Sequence, residues 1–195
     1  RKVAVLALVK TFGQIGSADI FIVVFSEQFF PMGEEGAISL GILFGAAGLG
    51  AILGPLAANR LASGSQHSLM RAIQSGYWSI PLGWSLIAWS PNIWLAGLGV
   101  MVRLMGTSLN WTYSNVLIQQ TVPDRFLGRV FSIDLGAFTL ATAVATYLTG
   151  YFLDAFPISL RQLGGYFAAA SLIPAVYWSF YQARQRLVEP DEQIS

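Results

Sequence analysis

The stretch AISLGILFGAAGLGAILGPLA, residues 37–57, holds no charged side chain, and its only polar one is Ser39. A helix rises about 1.5 Å per residue, so about 20 such residues cross the roughly 30 Å hydrocarbon core of a bilayer. A helix that is apolar on every face is read as one whose solvent is lipid. Five further apolar stretches of similar length lie at about 3–26, 69–89, 92–117, 131–153 and 163–183. The expected fold is therefore an all-α membrane protein of six transmembrane helices over residues 1–186. The polar tail, 187–195, is expected to be cytoplasmic and disordered.

Composition points the same way. Hydrophobic residues make up 54% of the 195-residue chain and charged residues 11%, with a mean hydropathy of +0.58, which argues against a soluble domain. A formal charge of +1, with the basic residues spread over short connectors, argues against a nucleic-acid partner. With no cysteine there is neither a disulfide framework nor a thiolate metal site. The chain begins at Arg1 without an initiator methionine, and it is read as a segment of a longer protein.

Orientation follows from Lys and Arg, which accumulate in cytoplasmic loops. If six helices alternate, Arg1, Lys2, Arg60, Arg71, Arg125, Arg129, Arg184 and Arg186 fall on one side, and Arg161 alone on the other. Both ends of the segment are thus expected to be cytoplasmic. The opposite side receives Glu27, Glu34, Glu35 and Asp154, and Trp89 and Trp94 bracket its tightest turn as interfacial aromatics.

Within the spans, Gly41 and Gly45, then Gly50 and Gly54, stand four apart, giving small faces against which another helix can pack. That helix belongs either to this bundle or to a second one. Pro55, Pro81 and Pro174 mark expected kinks. Leu40-Gly41 followed by Gly54-Pro-Leu-Ala-Ala-Asn59 is echoed by Leu135-Gly136 followed by Gly150-Tyr-Phe-Leu-Asp-Ala155. Two units of three helices must have opposite topology, so the echo reads as a pair of inverted three-helix repeats. A chance match between two small-residue helices explains it equally well.

Ionisable residues inside spans are costly and mark pathways or paired sites. Arg103 sits near the middle of the fourth stretch, with Thr107, Asn110 and Ser114 at i+4, i+7 and i+11 on one helical stripe. Lys10, Gln14 and Ser17 repeat the spacing in the first. Each stripe is read as lining a wet cavity, against a structural ion pair for Arg103 and snorkelling to the surface for Lys10. Asp19 lies half a turn from Lys10 in projection unless the helix breaks near Gly13 or Gly16; it faces the outer vestibule, pairs with another helix or accepts a proton. Trp111 and Tyr113 are candidate walls for an amphipathic substrate. Asp134, near the start of the fifth span, reads as a gate residue or a partner for nearby arginines. Pro123 ends one helix, Asp124 is placed to cap the next, and Arg125 and Arg129 are four apart and so face one way. They form a latch to a partner bundle, or they contact lipid headgroups.

The connector Gln119-Gln120-Thr-Val-Pro123-Asp124-Arg125-Phe-Leu-Gly128-Arg129-Val-Phe-Ser132 resembles the loop between the fourth and fifth helices of the C-terminal half of major facilitator superfamily transporters, most of all the drug, macrolide and siderophore exporter branch. The usual Arg-Gly-Arg appears as Leu127-Gly128-Arg129. The run Gly54-Pro-Leu-Ala-Ala-Asn59-Arg60 resembles that superfamily's Gly-x-x-x-Asp-Arg loop, without its aspartate. The resemblance implies secondary active transport by alternating access, proton-coupled export of a small amphipathic compound and an N-terminal six-helix half as partner, in the inner membrane. It also implies a cavity lined by the first and fourth helices, and a cytoplasmic gate at Arg60, Asp124, Arg125, Arg129 and Asp134. The alternative is a membrane scaffold that moves nothing.

No enzymatic activity and no cofactor are expected. The chain has no Gly-x-x-x-x-Gly-Lys-Ser/Thr loop for nucleotide phosphates, and its single histidine, His67, lies in a connector without a second histidine to share a metal.

Overall fold

The computed structural model describes residues 2–13, 19–61 and 65–188, and every regular element among them is helical. Three short helices open the chain, α1 (Lys2–Ala7), α2 (Val9–Gly13) and α3 (Asp19–Gln28). Five long ones follow, α4 (Ala37–Leu61), α5 (Gln66–Ala88), α6 (Ile93–Thr121), α7 (Asp124–Ala155) and α8 (Leu160–Val188). Four of them, α4 with its preceding turn, α6, α7 and α8, are long and apolar enough to cross a membrane. The part of the tail beyond Val188 lies outside the described residues.

The first apolar stretch differs from the single helix expected over 3–26. The helix is interrupted at Leu8, whose N–H turns back to Val5 O, and residues 14–18 of the stretch lie outside the described residues. Just beyond the turn, the buried Tyr77 hydroxyl donates to Val9 O at 2.7 Å and ties α2 to α5.

The third stretch, α5, is not among the four membrane-length apolar helices. It is amphipathic instead: Leu69, Ile73, Gly76, Tyr77, Ile80, Gly83, Trp84 and Ile87 form a buried stripe at helical spacing. Ser75, Ser79 and Ser85 satisfy their hydroxyls on the carbonyls of Ala72, Ser75 and Pro81 in the same helix. Ser65 caps its start by accepting from Ser68 N, and Asn92 caps α6 by accepting from Leu95 N at 2.9 Å.

Helices α4, α5 and α6 meet at glycine contacts. A methyl group at Gly83 would lie 2.6 Å from Arg103 N, at Gly106 2.3 Å from Gly76 O, and at Gly50 2.2 Å from Met101 O. Backbones this close leave no room for any side chain. The two glycine pairs of α4 therefore part company: Gly50 and Gly54 pack on α6, whereas nothing lies within 4 Å of a methyl group built at Gly41 or Gly45.

Two apolar clusters fill the interior. One gathers Phe21, Phe25, Trp84, Ile87, Ile93 and Leu163; the other gathers Val9, Ile73, Tyr77, Tyr113, Leu117 and Trp178. Helix α8 is fixed to the rest by polar clips at both ends. Arg161 donates to Ser90 O at 2.9 Å, while Trp178 Nε1 and Gln182 Nε2 both donate to Met70 O. Helix α7 is the outlier, since only Asp134 and Thr149 of its residues are buried. It also begins earlier than the expected 131. The connector after Pro123 is the first turn of α7 itself, with Pro123 in the cap position and Asp124 inside the helix. Proline suits that place because the first turn needs no N–H from it.

Candidate functional site

Three helical segments bring a buried ion pair together. Lys10 projects from α2, and its Nζ bonds Asp134 Oδ2 on α7. Lys10 is 5% exposed and Asp134 1%, so the lysine does not snorkel outward as its distance from the chain start suggests. The partner of Asp134 is Lys10, and not one of the arginines of the connector. The ammonium also lies 4.5 Å from the Trp111 ring centroid and 5.7 Å from that of Phe131, a cation–π arrangement with walls from α6 and α7. Trp111 is held in turn edge-on to Phe138 at 5.0 Å.

Around this pair lies a cavity of about 250 Å³, lined by Lys10, Trp111, Asn115, Gln119, Phe131, Asp134 and Leu135. Asp134 Oδ1 and Asn115 Oδ1 are buried and accept no hydrogen bond. A carboxylate needs its lone pairs satisfied when it leaves water, so one half of Asp134 is served by Lys10 and the other is open.

The Arg103 stripe is elsewhere. Arg103, Asn110 and Ser114 are buried, and the contacts of Arg103 and Asn110 run to α5 and α2 rather than to an open cavity. Arg103 lies over the Trp84 ring at 4.9 Å, and the glycines of α5 press on its backbone. The hydroxyls of Thr107 and Ser114 turn back onto Arg103 O and Trp111 O of their own helix. Asn110 lies against Gly76 and Gly13. Of the residues singled out in the sequence, the structure thus joins Lys10, Trp111 and Asp134, and it separates Arg103, Asn110 and Ser114 from them.

Gln14 and Ser17 lie outside the described residues. Asp19 opens α3 and Arg60 sits in the last turn of α4, with their side chains outside the described residues too. Asp124, Arg125 and Arg129 are all exposed at the start of α7, where Arg125 rests 4.8 Å from the ring centroid of Phe126.

Sequence reasoning missed Asn115, Gln119, Phe131 and Leu135. A signal was present for the first two: Arg103, Thr107, Trp111, Asn115 and Gln119 form an unbroken i, i+4 series that drifts round α6 from the Arg103 side to the Trp111 side. The chain was also compared with known protein families, characterised proteins and solved structures, and it matches none of them.

Proposed function

We propose that this chain is one six-span half of a twelve-helix secondary transporter of the major facilitator type, working by alternating access. In this reading α1 to α3 together make the first span and α5 the third, with both ends cytoplasmic in an inner membrane. The observation that carries the reading is the Lys10–Asp134 pair in its cavity of about 250 Å³. Ionisable groups buried in an apolar helical bundle are retained where they line a substrate or ion path. The pair joins the broken first segment to α7, the least buried helix, so its making and breaking are coupled to how α7 sits.

The two members of the sequence echo, α4 and α7, both leave glycines uncovered, at Gly41 and Gly45 and at Gly128, Gly136 and Gly150. These faces suit the close approach of an N-terminal half. Arg125 and Arg129, exposed together at the start of α7, suit a cytoplasmic latch to that half. Proton-coupled export of a small amphipathic compound is the transport mode that fits the connector's resemblance.

The test is gradient collapse. The full-length protein is reconstituted in vesicles with an imposed pH gradient and a trapped pH dye, and a panel of amphipathic compounds is added. At least one compound should collapse the gradient, and Asp134→Asn should abolish the response. A folded wild-type protein that responds to none would leave a membrane scaffold as the reading. One observation favours that second reading, namely that the Arg103 stripe is closed against α5 and not open to solvent.

A further inference from the structure

Among the described residues lining the Lys10–Asp134 cavity, the buried side-chain atoms without any hydrogen bond are both acceptors. Asp134 Oδ1 and Asn115 Oδ1 are both buried and unpartnered, and the Asp134 side chain is 1% exposed. The rings of Trp111 and Phe131 complete the walls, and aromatic faces attract cations. An anion entering here would meet one ammonium, already committed, together with a carboxylate and two ring faces. A cation bearing N–H donors would meet two vacant acceptors and the same two rings.

We propose that Asp134 binds the ammonium or guanidinium group of a small cationic ligand, and that Lys10 is a tethered competitor occupying that place when the ligand is absent. Lys10 is suited to leave. It stands two residues beyond the turn at Leu8, and its unbranched stem can carry the ammonium outward along the rings. Asn115 then takes a second N–H of the ligand, and the apolar body of the ligand lies against Trp111 and Phe131. The inference rests on the reading of this cavity as the substrate site.

The experiment is equilibrium dialysis of the full-length protein in nanodiscs against three radiolabelled probes of one shape, phenethylammonium, phenethyl alcohol and phenylacetate. Wild type should bind the amine saturably and neither of the others. Asp134→Asn should weaken amine binding at least tenfold, and Lys10→Gln, which removes the competitor, should tighten it several-fold. The proposal is overturned if phenylacetate binds and Lys10→Gln abolishes it, if Lys10→Gln binds the amine no better than wild type, or if a folded wild type binds no amine. The Lys10→Gln arm decides the matter even where Asp134→Asn fails to fold. Saturable amine binding without any gradient collapse would sink the transporter reading and leave this one standing; gradient collapse by neutral or acidic compounds alone, without amine binding, would do the reverse.

Discussion

Replacing Lys10 by Met and Asp134 by Leu, singly and together, tests whether the ion pair is desolvated as its burial implies. The side chains are 4% and 1% exposed, so neither charge keeps a water shell. Lys10→Met leaves a carboxylate with neither oxygen paired, because Asp134 Oδ1 is already without a partner. Breaking a buried pair by removing one member costs about 3–5 kcal/mol. About 0.5–2 kcal/mol of the Lys10 effect is the lost cation–π contact with Trp111. Asp134→Leu leaves the ammonium over two rings, which compensate it in part, so its cost should sit at the lower end of that range. The double variant leaves no buried charge, and replacing such a pair by apolar residues of similar volume is commonly neutral. It should therefore be more stable than either single variant by at least ~2 kcal/mol. Reversible unfolding in bicelles, followed by steric trapping, measures all four proteins on one scale. Costs that simply add, or single variants within about 1 kcal/mol of wild type, would refute the reasoning, since both are what a hydrated pair gives.

Three other outcomes follow from the packing and are read on the same scale. Gly106→Ala should destabilise by about 1–3 kcal/mol, because its methyl group would sit 2.3 Å from Gly76 O, whereas Gly165→Ala, with nothing within 4 Å of its methyl group, should change stability by less than about 0.5 kcal/mol. Arg103→Ala should lower stability far more than Thr107→Ala, since the first empties a fully buried site over Trp84 and the second removes a hydroxyl bonded only to its own helix. Tyr77→Phe should cost about 0.5–1.5 kcal/mol and raise amide exchange between Val5 and Gly13, as it removes the bond that ties α2 to α5; exchange unchanged there would mean that this bond does not hold α2 in place.

How far the fold could be read in advance differs from helix to helix. Four membrane-length helices follow from apolar length alone. The face of α6 that meets a cavity does not follow, although Arg103 is the costliest residue in its stretch. A stripe drawn on an isolated helix shows which residues share a side, not what stands opposite. In α6 the side holding Arg103 and Asn110 is met by the glycines of α5, which bring a backbone so close that no space remains. The adjoining side, with Trp111, Asn115 and Gln119, is met by α7, which packs loosely and leaves a cavity. The glycines of α5, in a stretch read only for its length, therefore decide which polar residues of α6 can be reached.

The same logic explains why Lys10 and Asp134 were placed apart by their sequence positions. The spacing to Gln14 and Ser17 puts Lys10 on a helical stripe, and the position of Asp134 makes it a gate residue or a partner for the arginines near it in the chain. Both assignments assume local order. The turn at Leu8 allows α2 an orientation of its own, and α7 continues without interruption from Asp124, carrying Asp134 past the connector arginines into the bundle. Two charges separated by 124 positions are then forced together, because in an apolar surrounding each is the least costly partner for the other.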